Sequence, residues 1–105
     1  MDPKQQRGTP FTQTATGATA TATQTGVSGT VIYVTDVAGS SDKAGSLILI
    51  KDGSTVVWQM QVATTAAGIN AFSHQFKTPI SIAGTLTVVV DGTTKACSNV
   101  QGYVL

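Results

Sequence analysis

From Val31 to the C-terminus, apolar residues recur in short runs such as VIYV, LILI, TVVWQMQV and LTVVV, separated by Gly, Ser, Asp and Thr. Alternation with a period of two puts successive side chains on opposite faces of a strand, and β-branched residues pack well on that pleated surface. Residues 30–37 (TVIYVTDV) read as the first strand, largely apolar on both faces; residues 38–45 read as a loop and 46–51 (SLILIK) as the second strand. Asp52-Gly53 is a two-residue hairpin signal, because a type I′ turn needs positive φ at both central positions. The chain returns over 55–62, with Val56, Trp58, Met60 and Val62 on one face and Val57, Gln59 and Gln61 on the other.

Residues 63–70 lack bulk and read as a loop; 71–76 (AFSHQF) then place Phe72, His74 and Phe76 on one face. Pro79 suits a strand start or a sheet edge, since it has no N–H to donate. A brief strand over 80–84 and a longer one over 85–91, with Leu86, Val88 and Val90 inward, lead to a hairpin at Asp91-Gly92 and a last strand over 94–105. Short strands at regular spacing with Gly-rich turns predict an all-β chain folded as a single β-sandwich, jelly-roll or immunoglobulin-like. Its core is expected to hold Tyr33, Trp58, Met60, Phe72, Phe76 and Leu86.

The start of the chain reads differently. Residues 9–30 (TPFTQTATGATATATQTGVSGT) carry one aromatic side chain and no charge. They alternate as a strand would, but neither face is strongly apolar, so the tract is not expected to bury enough surface to join a core. Residues 1–26 are therefore expected to form an extended N-terminal arm, and 27–105 the sandwich domain. Arg7, Pro10, Phe11, Thr12 and Gln13 are the candidate docking residues of the arm, whose backbone can add to the edge of a partner sheet. Deleting 1–26 is expected to leave a folded domain. A domain of this size buries only about 60% of its unfolded surface, so docking or oligomerisation would stabilise it.

Composition narrows the chemistry. The 105 residues include six Lys and Arg, five Asp and no Glu, for a net charge of +1. The cations are scattered, whereas nucleic-acid binders cluster them with aromatic platforms, so no nucleic-acid partner is expected. No apolar stretch approaches the ~20 residues that span a bilayer, and the start of the chain has no hydrophobic segment of the signal-peptide kind; no membrane partner is expected. One cysteine, Cys97, excludes an intramolecular disulfide and reads as a small core residue. One histidine, His74, and no nucleophile motif leave no catalytic constellation, so the chain is expected not to be an enzyme and to need no cofactor. Asp36 and Asp42 are the carboxylates a calcium ion would use, but such a site needs six or more oxygens. Asp52 and Asp91 are accounted for by turns. Trp58 reads as inward-facing, and Tyr103 as a rim residue that bonds to backbone or a partner.

The order YVTDV (33–37), a Ser/Gly/Lys loop, SLILIKDG (46–53), a Trp-bearing strand, FSHQFKTPISIAGTLTV (72–88) and VQGYV (100–104) resembles small bacteriophage virion proteins: head decoration or cement proteins and related neck and fibre modules. The resemblance covers the domain and not the arm, and its pattern is one of folding rather than of chemistry. It implies a non-enzymatic protein on the outer capsid surface of a virion, made in the host cytoplasm, which bridges major capsid protein subunits as a homotrimer, its arm crossing onto neighbouring subunits. The alternative it leaves is a receptor- or glycan-binding module of a tail or head fibre.

Overall fold

A computed structural model of the chain describes residues 8–61 and 70–105. Arg7, the start of the chain before it, Val62 and most of the loop expected over 63–70 lie outside them. The protein is all-β: β1 (Thr9–Gln24), β2 (Ile32–Ser41), β3 (Leu47–Asp52), β4 (Thr55–Gln61), β5 (Asn70–Ile82) and β6 (Leu86–Val104). They form one antiparallel sheet in the order β4-β3-β6-β2-β5, with β1 on β6.

β6 organises the sheet. Its first part pairs with β3, from Leu86↔Asp52 to Val90↔Ile48, and its second with β2, from Ala96↔Ser41 to Val104↔Ile32. β1 pairs with both parts, with a register shift between Gly17 and Thr19. The sheet curls strongly at this shift. The Gln13 side-chain amide donates to Gln24 Oε1 at 2.9 Å, although a straight strand would hold these residues roughly 35 Å apart at ~3.3 Å per residue. Likewise the Ser98 hydroxyl donates to the Val88 carbonyl of the same strand at 2.9 Å. The core fills the inside of this curl with Ile32, Val34 and Val37 of β2, Ile48 and Ile50 of β3, Ile82 of β5, and alternate residues of β6.

The segment expected to stand apart as an arm is β1. Ala20 and Ala22 are fully buried and belong to the core, and Phe11 and Ala15 pack against it. Even the small alanine side chains are fully covered there, because the curled sheet closes over the inner face of β1. The expectation that removal of 1–26 spares the fold is withdrawn with it.

Other boundaries also move. β2 continues through 38–41, expected as a loop, and β6 runs on past Asp91-Gly92, expected as a hairpin. Residues 92–95 make a local detour instead, held by Asp42: its carboxylate accepts from the backbone N–H groups of Thr93, Thr94 and Lys95 and from the Thr94 hydroxyl. β5 runs through Pro79 rather than starting there. The β3–β4 hairpin sits one residue later than predicted. Asp52 pairs with Thr55, Gly53 has φ of 61° and, among the described residues, no non-glycine residue has positive φ. This is the pattern of a II′ turn, in which only the first central residue is left-handed.

Of the expected core residues, Leu86 is fully buried. Trp58, Met60, Phe72 and Phe76 are half-buried and pack against the core from strands with one free edge. Tyr33 lies outside the core cluster, stacked on Tyr103 with ring centroids 5.0 Å apart. Tyr103 is itself buried, not a rim residue.

Candidate functional site

Three surfaces stand out: the edge of β1 and the two outer faces of the curled sheet. Among the described residues β1 pairs with β6 alone, which leaves one row of its backbone N–H and C=O groups without a described strand partner along 16 residues. It carries no charged residue and has Pro10 near its start; of the other end strands, β4 is also uncharged and β5 carries Lys77 and Pro79. Natural proteins guard such edges with charges and proline, because a bare edge templates pairing with another chain. Of the proposed docking residues on β1, Pro10 and Thr12 are exposed. Phe11 covers Gly102 and Gln13 bonds to Gln24, so both face inward.

Cross-strand partners share a face of the sheet. Around β3 and β4, the side opposite Ile48 and Ile50 carries Leu47, Leu49 and Val89. Leu47, Val56 and Val57 remain 40%, 43% and 44% exposed. Val56 was expected beside Trp58 and Met60, but the ladder shifts between Ile50 and Lys51 and pairs Val56 with Lys51. A shift of one residue moves a side chain to the opposite face.

Around β2 the outer face is polar. Register aligns Thr12, Gln101, Asp36 and Gln75 across four strands, and Thr14, Asn99, Ala38 and Ser73 beside them. A bulge lies at Thr35: between the pairs Val34↔Ile80 and Asp36↔Gln75, β2 has Thr35 alone while β5 has residues 76–79. The mismatch opens a groove. Its two contiguous parts, about 410 and 370 Å³, share Asp36, Gln75 and Gln101.

The described carboxylates fall into two kinds. The Thr94 hydroxyl is the largest influence on Asp42; partial desolvation opposes it, and the N–H groups of Thr93, Lys95 and Thr94 add to it, leaving the pKa lowered to about 2. Asp52 accepts from the N–H groups of Ala83 and Gly84, and Asp91 pairs with Lys43 at 2.6 Å. These three hold the fold together. Asp36, half-buried in the groove, makes no such bond within the described residues. Sequence reasoning weighed it only as a calcium ligand and passed over Gln75, Asn99 and Gln101, since exposed amides on strands carry no signature. Among the described residues no three His, Cys, Asp or Glu side chains come together as a metal site.

His74 is exposed yet packed in an aromatic group, 5.3 Å from Trp58 and 4.8 Å from Phe76, with Trp58 and Phe76 5.1 Å apart. This group ties β4 to β5, strands that do not pair with each other. Cys97 is a free, half-buried thiol. Comparison with known protein families, curated proteins and solved structures finds no match to this chain.

Proposed function

We propose that this chain is a non-enzymatic head decoration protein of a bacteriophage, which binds the outer capsid surface and bridges major capsid protein subunits. The observation that carries the reading is β1, a 16-residue strand with one edge free among the described residues and no charge. Such an edge suits strand addition to a partner, with main-chain hydrogen bonds supplying affinity. The exposed Leu47, Val56 and Val57 add a second contact surface. Assembly as a homotrimer would multiply one modest contact through effective concentration. The curled sheet is read as a sandwich of the jelly-roll or immunoglobulin-like kind, a reading supported by the bonds from Gln13 to Gln24 and from Ser98 to Val88.

The test is sedimentation of the full chain with filled heads purified without it. The wild-type chain is expected to co-sediment at a copy number that is a multiple of three. The double variant Thr14→Lys/Thr21→Lys, which charges exposed positions flanking the edge, is expected to stay folded and remain in the supernatant. Equal co-sedimentation of the variant would remove β1 as the docking element, and no co-sedimentation of the wild type would remove the capsid reading. A truncation at residue 26 is not a clean test, since it takes Ala20 and Ala22 out of the core. A fibre module that stacks a sugar on an aromatic ring would need Trp58 open to solvent, and Trp58 packs against His74 and Phe76 instead.

A further inference from the structure

We propose that the groove across β6, β2 and β5 is a binding site for a neutral glycan, with Asp36 as its central acceptor. The inference does not rest on the capsid reading and can be tested without heads.

The groove has a structural origin. At the Thr35 bulge β2 advances by one residue while β5 takes a detour of four, and bulges of this kind re-aim side chains and recur beside functional sites. The Thr35 hydroxyl donates to the Gln101 carbonyl at 3.2 Å, which fixes the bulge to β6. Ala38 forms a low floor between Ser73 and Asn99, with which it pairs on either side. Each part of the groove falls in the ~300–1,000 Å³ range of small-molecule sites. The two parts adjoin at Asp36, Gln75 and Gln101 and reach Asn99 and Ser73 on one side and Lys77 and Pro79 on the other, which suits an oligosaccharide.

Its chemistry selects the ligand class. The polar lining is the Asp36 carboxylate, the three side-chain amides, the hydroxyl-bearing Ser73 and Thr35, His74 and Lys77. Planar carboxylates and amides present paired donors and acceptors that vicinal hydroxyls can satisfy together. At the far end Pro79 supplies apolar surface for the C–H face of a sugar ring, with Lys77 beside it, while the Phe76 ring packs inward on Trp58 and His74. A polyanion is disfavoured, since Asp36 holds the middle of the groove and Lys77 is the one Lys or Arg of its lining among the described residues. The contrast with Asp42, Asp52 and Asp91 sharpens the case. Each of those is engaged by the fold, while the Asp36 carboxylate has no such partner among the described residues.

The experiment applies the full chain to an array of neutral and acidic glycans. Retention of one or more neutral glycans is expected. For the glycan retained, Asp36→Asn and Gln101→Ala are each expected to weaken binding at least tenfold with an unchanged melting temperature, because neither side chain supports the core. In the unaltered protein, titration with that glycan should shift the side-chain amide NMR signals of Gln75, Asn99 and Gln101 and leave those of Gln59 and Gln61 in place. Retention of acidic glycans alone, no retention of any glycan, or undiminished binding by Asp36→Asn would overturn the proposal. So would amide shifts confined to Gln59 and Gln61.

Discussion

The two outer faces of the sheet are built on the same inner packing, yet they differ in kind. Around β2 and β5 the face is a row of Thr, Gln, Asp, Asn and Ser broken by a groove. Around β3 and β4 it sets Leu47, Leu49, Val56, Val57 and Val89, partly open to water, among Lys51, Gln59 and Gln61. Both faces depart from a flat ladder at a bulge, but to opposite effect. The bulge at Thr35 gathers polar groups into a concavity, whereas the shift at Ile50/Lys51 turns an aliphatic side chain outward. Curled sheets can thus carry two surfaces of different chemistry with no second domain. Core packing constrains only one side of each strand, and the other side is free to differ along its length.

The most severe way to break the comparison is to disrupt the packing beneath the polar face. A Cβ at Gly102 would lie 2.9 Å from the Phe11 ring and meet the backbone carbonyl of Tyr33. The carbonyl cannot move without parting β2 from β6. Gly102→Val should therefore cost more than about 4 kcal/mol, at the extreme of single substitutions, and chemical denaturation should find most of the protein unfolded. A loss below about 1 kcal/mol would mean that the strands are farther apart there.

Trp58 holds the two halves in their relative orientation, because it carries β4 onto His74 and Phe76 of β5. It is half-buried, so Trp58→Ala should cost about 2 kcal/mol, less than the ~3–5 kcal/mol of a fully buried aromatic residue. The loss should be accompanied by greater hydrogen exchange in β4 than in β2. Equal exchange in both strands would show that the ring group does not join the halves.

Asp42 pins the detour of β6 between its two parts, and it gives the fold a pH dependence. Its pKa is lowered in the folded protein, from 3.8 to about 2. The unfolded chain therefore binds the proton first, and the stabilisation is complete above pH 3.8 and lost as pH falls toward 2. The melting temperature should fall over that window, and Asp42→Asn should flatten this part of the profile and lower the plateau above it. A variant with the same acid limb as the wild type would place the titration elsewhere.

The sequence analysis reached the hairpin strands β3 and β4, the inward set Leu86, Val88 and Val90, and the all-β class, because bulky apolar residues at period two leave one reading. It missed β1, where the buried positions are Ala20 and Ala22. Alanine looks neutral in a sequence, and its burial depends on how close the opposing strand halves come. It broke β6 at Asp91-Gly92, a good turn signal overridden by the bonds that Asp42 makes to Thr93, Thr94 and Lys95. The groove was invisible for a different reason. Its defining bulge contains no glycine, and its residues come from three strands whose order periodicity does not encode.

The subtlest change addresses the apolar face alone. Val57→Thr with Leu47→Thr replaces exposed aliphatic groups by side chains that still suit a strand. Leu47 and Val57 are 40% and 44% exposed, so only part of their apolar surface is buried and stability should fall by no more than about 1 kcal/mol. If the face is a contact surface, the double variant should show weaker self-association in sedimentation equilibrium while glycan retention through the groove is unaltered. If association and retention both persist, the exposed aliphatic groups are ordinary surface, since single apolar side chains on a protein exterior need no partner. If retention falls as well, the two faces are coupled through the sheet, and the independence assigned to them here is wrong.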